Sequence, residues 1–272
     1  MVDEPTYLSG TDRPAPLAPR RVASLVPWVS ESLAELALAD RLVAVTDDAA
    51  FPEGGFPFAE RIGPSVLPDI ERLLELGPDL VLLGPQHSSA RRALQAAGVP
   101  VWLAAPHTVR EAFNGLWDWM NAFEGPQMSA RVRAIEWTCD WLERLAETRP
   151  APARVLALLD RTSGAAAAGG SYAHDLLRVC GGDALFGGFV AETVEPSEHD
   201  VIALQPEVIL LASGGPVGFT AGDAPALASL DTPAGRAGRV VLVDYTLLTW
   251  PGTRVARAFD VLPNLLDLNA QN

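Results

Sequence analysis

The chain's 272 residues include four histidines and two cysteines, the side chains best suited to binding a transition metal, and their spacing fits no metal motif. Cys139 and Cys180 lack the paired spacing of a zinc site and read as two buried thiols within helical patterns. The sequence contains no P-loop, no G-x-G-x-x-G, no nucleophile elbow, no H-E-x-x-H and no Cys/His cluster. One stretch, "SGAAAAGGS" at 163–171, could let a backbone approach a phosphate at the start of the following helix, although no lysine or metal-binding acid stands beside it. Aromatic residues offer a different chemistry. Trp28 follows Pro27 in a turn at the end of a strand, a position a core tryptophan seldom takes; a flat ring there can cover the face of a flat ligand, with packing under the loop as the alternative. Tyr172 and Trp250 could do the same or cap their own surroundings. His87, on a loop, could ligate a metal, make a hydrogen bond or be simply exposed. His107 starts a helix, and His174 falls within one, at the surface or with its polar atoms satisfied inside.

The charge balance narrows the partners. Twenty basic residues against 34 acidic ones give −14, and no basic cluster longer than the pairs Arg20-Arg21 and Arg91-Arg92 interrupts it. Nucleic acid binding needs clustered cations and is excluded on that ground. The hydrophobic fraction of 49% is ample for buried cores, in one large domain or two ordinary ones. "RRVASLVPWVSESLAELALAD" has the outline of a secretory signal, but Pro27, Glu31 and Glu35 break its apolar centre and the preceding 19 residues are acidic and proline-rich. No stretch reaches the roughly 18 apolar residues of a membrane span.

Stepping along the chain, residues 1–19 read as a mobile tail. "RVASLV" reads as a strand, "SESLAELALA" as a helix capped by Ser30 or Ser32, and "RLVAVT" as a second strand followed by a Pro/Gly-punctuated loop. A helix at 68–76, a strand at 79–83, a helix from Ser88 or Ser89 and the strand "PVWLAA" complete an alternating lobe with parallel strands. Residues 109–123 are helical. From Ser129 to Glu147 neither Gly nor Pro occurs, and at 1.5 Å per residue that helix is about 28 Å long. Val132, Ile135, Cys139 and Leu142 mark one face; Trp137, Trp141 and Leu145 mark a neighbouring one, so the helix could brace two lobes. After it come the strand "RVLALL", the Gly/Ala loop, the helix "SYAHDLLRVCGG", a helix-turn-strand unit, the loop 212–224, the strand "RVVLVD" and a final helix at 253–268.

That second helix-turn-strand unit repeats the first. "IERLLELGPDLVLLG" (70–84) returns as "EHDVIALQPEVILLA" (198–212), with Pro78 and Pro206 standing 128 positions apart and Asp79 paired with Glu207. Two similar α/β lobes explain the recurrence: residues 20–115, a linking region at 116–150 with the long helix, and residues 151–272.

The ordered set "RVASLVPWVSESLAEL", "VTDDAAFPEG", Arg61-Ile62-Gly63, "IERLLELGPDLV", "HDLLRVCGGDALF" and "PGTR" (251–254) resembles the helical-backbone (class III) substrate-binding proteins of ABC importers for cobalamin, ferric siderophores and haem. The resemblance runs over residues 20–268. It implies two Rossmann-like lobes with mainly parallel sheets, one backbone helix, a ligand cleft between the lobes and little domain movement on binding. Loops after the strands would line the cleft. They supply Trp28, Ser65, Gly84, Gln86 and His87 from the first lobe. Arg161, Ser171, Tyr172, Gly214, Phe219 and Trp250 come from the second. Ser65 and Gly84 stand where the cobalamin-binding relatives carry aromatics, which opens the cleft: either the ligand differs from cobalamin or stacking has moved to Trp28 and Trp250. Haem in the family is held by a cleft Tyr or His, for which Tyr172 and His87 qualify. Arg161 and Arg254 are placed near the cleft, while Arg72, Arg91, Arg92, Arg133 and Arg144 fall on outer helix faces, favouring a near-neutral corrinoid or haem over an anionic siderophore.

The family docks to its permease through one glutamate per lobe. Glu71 matches the first. The second position is His199, with Glu198 and Asp200 beside it. The implied protein is a monomeric binder of a metal chelate, with no catalytic cofactor, located in the periplasm or at the cell surface. The absence of a readable signal in this sequence leaves open a cytoplasmic chelate binder uncoupled from a permease. An α/β enzyme using the Gly/Ala loop for phosphate is the remaining alternative.

Overall fold

The computed structural model describes residues 18–50, 52–125, 128–148 and 151–267. Of the tail expected at 1–19, only the last two residues lie within this range, and Ala18 donates its N–H to Ala122 O at 2.7 Å. The chain divides into two compact units. One holds the described residues up to Pro106 together with Phe113–Arg133; the other holds His107–Ala112 together with the residues from Ala134 onward.

In the first unit β1 (Val22–Ser24), β2 (Leu42–Val45), β3 (Glu60–Arg61), β4 (Leu80–Leu83) and β5 (Val101–Leu103) form a parallel sheet in the order β3-β2-β1-β4-β5. The helices α1 (Pro27–Glu35), α2 (Ile70–Glu75) and α3 (Ser88–Ala96) lie between its strands in the chain. All four residues of β4 are at most 1% exposed, as a continuous apolar run covered on both faces requires. Val81 and Leu83 pack with Leu73 of α2 and Leu94 of α3, each leucine contributing about 1.5–3 kcal/mol by its removal from water. Between β1 and β4 the strand order reverses, which makes the ends of these two strands the switch point of the sheet.

Two details differ from expectation. Neither Ser30 nor Ser32 caps α1: the helix begins earlier, at Pro27, with Val26 in the cap position. Proline suits a first helical turn because its fixed φ is already helical and its missing N–H would have had no partner there. Ser30 Oγ instead donates to Ser24 Oγ at 2.8 Å, and Ser32 Oγ to Trp28 O at 2.8 Å. The loop after β2 also holds β3, an edge strand of two residues.

Two helices, α4 (Val109–Ala122) and α5 (Ser129–Glu147), carry the chain between the units, and the division falls inside both. The bounds of α5 are those expected from the Gly/Pro-free stretch, and Val132, Ile135, Cys139 and Leu142 are buried. The neighbouring face is open: Trp137 and Trp141 are 66% and 60% exposed, and Leu145 is also exposed.

The second unit centres on β10 (Val208–Ser213), flanked in parallel by β6 (Ala153–Leu158) and β11 (Val240–Asp244). Beyond β6 the sheet departs from the alternating plan. The Gly/Ala stretch, read as a loop, contains β7 (Ala166–Ala167), which pairs antiparallel with β6 and with β9 (Thr193–Val194), while β8 (Gly182–Ala184) pairs in parallel with the start of β6. Small side chains allow this. A Cβ on Gly169 would collide with the carbonyl oxygens of Gly187 and Phe189, and one on Gly170 with that of Val190. The glycines therefore serve close backbone packing. The helices are α6 (Tyr172–Val179), α7 (Glu198–Leu204), α8 (Ala224–Ala228), α9 (Pro233–Arg236), α10 (Tyr245–Thr249) and α11 (Val255–Leu266), the last preceded by a 3-10 turn at Gly252–Arg254.

Candidate functional site

In the first unit the loops leaving β1 and β4 flank the switch point, where open α/β sheets hold their ligands. Trp28 is not in a free turn but in the first turn of α1, half-buried, with its ring stacked on Trp119 at 6.0 Å between centroids and 23° between planes. Trp102 meets Trp119 edge-on at 6.3 Å, so the indole of Trp28 is the outermost of three packed rings. Its pose is set by packing, and one part of it remains open.

After β4 the chain turns through buried Gly84, exposed Pro85 and Gln86, and His87. His87 is only 4% exposed, contrary to an exposed or metal-ligating loop residue. Its Nδ1 accepts the Gly84 N–H at 3.0 Å, and its Nε2 lies 2.8 Å from Ser65 O, which fixes the tautomer with the proton on Nε2. Burial lowers the pKa of the ring, keeping it neutral. Both nitrogens are thus used to tie the β4 turn to the Gly63–Ser65 turn. Ser65 is held in addition by Asp48, whose carboxylate accepts from its N–H and its hydroxyl. Arg91 and Arg92, expected on an outer helix face, instead line a pocket of about 400 Å³ together with Gly84 and His87.

In the second unit, Asp160 closes the turn after β6 by accepting the N–H groups of Thr162 and Ser163 at 2.7 and 3.1 Å. Arg161 stands exposed beside it, 3.9 Å from Asp223. Hydrogen bonds from the Thr220 hydroxyl and N–H hold the Asp223 carboxyl below its ordinary range. Gly214, at φ +77°, is exposed in the loop after β10. Trp250 is half-buried, with the Arg254 guanidinium 5.1 Å from its ring centroid.

Four expected contacts are withdrawn into the fold. Ser171 caps α6, accepting the His174 N–H at 3.2 Å and donating to Ala168 O at 2.8 Å. Tyr172 is buried, and burial pushes its phenol well above the ordinary range, so it does not offer a phenolate to a metal. Phe219 belongs to the core cluster of the second sheet, with its N–H on Ala212 O. Arg254 is 4% exposed and reaches Thr246 Oγ1 at 3.1 Å. In each case the turn chemistry was legible, whereas the direction of the side chain depends on elements distant in sequence.

The proposed phosphate loop is likewise committed: the N–H groups of Gly169, Gly170 and Ser171 donate to Phe186, Ala191 and Ala168 carbonyls. His174 spans to Ala184 O at 3.1 Å, and His107, just before α4, is exposed near Glu192. Cys139 and Cys180 are buried and not joined in a disulfide, and burial pushes the Cys139 thiol up to about 12. Among the described residues no cluster of three His, Cys, Asp or Glu is placed to hold a metal ion.

The two expected docking positions lie on short exposed helices. Glu71 is in the first turn of α2, and Glu198 and His199 open α7. Asp200 is occupied: its carboxylate accepts from the N–H and hydroxyl of Ser197, which hold its pKa below the ordinary aspartate value.

No family model matches the chain. It is 24% identical over 196 residues to a vitamin B12-binding protein of Vibrio parahaemolyticus, covering 70% of this chain and 69% of the relative. Among solved structures, the periplasmic vitamin B12-binding protein of Vibrio cholerae superposes with a TM-score of 0.79 at 20% identity, over 94% of this chain and all of that one. A periplasmic haem-binding protein from Roseiflexus superposes at 0.74 with 23% identity, over 91% of this chain and 99% of that one. By sequence the chain is similar to vitamin B12-binding proteins, and its fold is that of periplasmic binding proteins for vitamin B12 and haem.

Proposed function

We propose that this protein is the substrate-binding component of an importer for a metal chelate, with a corrinoid as the foremost cargo. The observation that carries this reading is the sequence likeness to vitamin B12-binding proteins over 70% of the chain. The site chemistry supports it. A haem needs an axial ligand from the protein, and the two residues expected to give one are engaged or buried: His87 by its two hydrogen bonds, Tyr172 by the core. A corrinoid brings its own axial ligands and asks for flat apolar contact and hydrogen bonds, which Trp28, Trp250, Gln86, Arg161 and Gly214 can offer, whereas the polar groups of Ser65 are committed to Asp48 and His87. Glu71, with Glu198 and His199, would meet the permease, and the protein would work as a monomer in the periplasm or at the cell surface.

A second reading, a chelate binder uncoupled from any permease, is favoured by one observation. Exposed His199 stands where the repeat calls for the partner of Glu71, and Asp200 is committed to Ser197.

Tryptophan fluorescence, corrected for inner-filter absorption, tests the reading by titration with cyanocobalamin, cobinamide, haemin and a panel of ferric siderophores. Saturable binding of a corrinoid, weakened about tenfold or more by Trp28→Ala in a variant of unchanged circular dichroism, is the expected result. A folded protein that binds none of these chelates sinks it.

A further inference from the structure

The pocket at the C-terminal ends of β4 and β5 has a composition the rest of this acidic chain does not share. From Leu80 to Arg110 the sequence contains no Asp or Glu, although acids make up 34 of the 272 residues overall. Gly84, His87, Ser88, Arg91, Arg92 and Gln95 from that stretch line the pocket, so its walls carry two guanidiniums, neutral polar groups and no carboxylate. On the same unit Arg72 is paired with Glu60 and Glu75. Arg91 and Arg92 have no such partner among the described residues: Arg92 reaches only Ser89 Oγ at 3.5 Å, and Arg91 Nε is buried without an acceptor. A buried donor left unpaired is costly. A guanidinium that swings from there toward an oxyanion exchanges that cost for charge-assisted, two-pronged hydrogen bonds. His87, with both nitrogens bonded, adds no charge and holds the wall in place. At about 400 Å³ the pocket is at the small end of ligand cavities, suited to an acidic arm rather than a whole macrocycle.

We propose that this pocket is an anion subsite in which Arg91 and Arg92 bind a carboxylate or phosphate group carried by the chelate. The proposal rests on the chelate reading above and narrows it to cargo with such an arm. It also replaces, for Arg91 and Arg92, the expectation of an outer helix face.

The test uses the full chain and its Arg91→Gln, Arg92→Gln and double variants, each checked for unchanged circular dichroism. Two pairs of probes separate the sources of charge. Haemin against its dimethyl ester reports a carboxylate; cobalamin against cobinamide, which lacks the phosphate, reports a phosphodiester. In parallel, inorganic phosphate is titrated while the Arg91 Nε–H resonance is followed by NMR. In at least one pair the acid-bearing member should bind about tenfold or more tightly than its neutral partner. The double variant should abolish that preference while leaving the affinity for the neutral member unchanged. Phosphate should shift the Arg91 resonance saturably, and Arg92→Gln should weaken the shift. Equal affinities within both pairs, unaltered by the variants, overturn the subsite while the chelate reading stands. If no chelate binds, the chelate reading fails and the phosphate titration alone decides: a saturable shift sustains an anion site, and no shift overturns it.

Discussion

The two copies of the helix-turn-strand unit, α2-turn-β4 and α7-turn-β10, solve the same problems with different residues at equivalent positions. Asp69 caps α2 by accepting the Arg72 N–H, and 128 residues on Ser197 caps α7 by accepting the N–H of Asp200, whose carboxylate returns the bond. Each helix then ends in a left-handed turn residue, Gly77 at φ +59° and Gln205 at φ +46°. Glycine adopts that region freely. Glutamine does not, and here its side-chain Nε2 donates to Ile202 O at 2.6 Å and Asp231 O at 2.8 Å, offsetting the backbone cost. After the proline, an acid ties each strand to its neighbour: Asp79 accepts the N–H groups of Arg20 and Arg21 before β1, and Glu207 accepts that of Arg154 in β6. The lesson is that the geometry of the unit, not the identity of its residues, recurs. Beyond this shared centre the units diverge, the first adding β2 and β3 in parallel, the second the antiparallel β7 and β9.

The comparison can be broken most severely in the strands. Leu82 and Leu210 are equivalent and fully buried, so Leu82→Ala and Leu210→Ala should each lower stability by about 2–5 kcal/mol in urea unfolding. Costs that differ by more than a factor of two would show that the two strands do not bear equal loads. A smaller effect is expected at the acids. Asp79→Ala removes an acceptor shared by two N–H groups and Glu207→Ala an acceptor used by one, predicting losses of about 2 and about 1 kcal/mol. The reverse order would mean that the second acid has a role the first lacks. The turn residues should show the least. Gly77→Ala, with open space around the new methyl, should cost about 1 kcal/mol through its backbone alone. Gln205→Gly exchanges two side-chain bonds for a relaxed backbone and should stay within about 1 kcal/mol of the parent; a larger loss would assign the turn chiefly to the glutamine side chain.

Much of this was legible in the linear chain. The bounds of α5 follow from the run without Gly or Pro, and β4 and β10 from continuous apolar runs behind a proline turn. The candidate site was legible only in part. Trp28, Gln86, Arg161 and Gly214 do occupy half-buried or exposed loop or first-turn positions. Ser171, Tyr172, Phe219 and Arg254 were assigned outward from their place beside a strand end, a rule that gives the position of a Cα but not the direction of its side chain. The pocket around Arg91 and Arg92 left one unused signal, the acid-free stretch from Leu80 to Arg110.

By itself, then, the sequence determined the repeated central units and the long helix, because apolar periodicity, caps and turn residues act over a few neighbouring positions. Tertiary structure decided the rest. Whether Ala166–Ala167 pairs as a strand depends on β6 and on the backbone of 186–191 crossing over its glycines, and whether His87 faces a ligand or a carbonyl depends on Ser65, 22 residues away. Such contacts join residues whose separation along the chain carries no periodic signal, so only the packed fold could assign them.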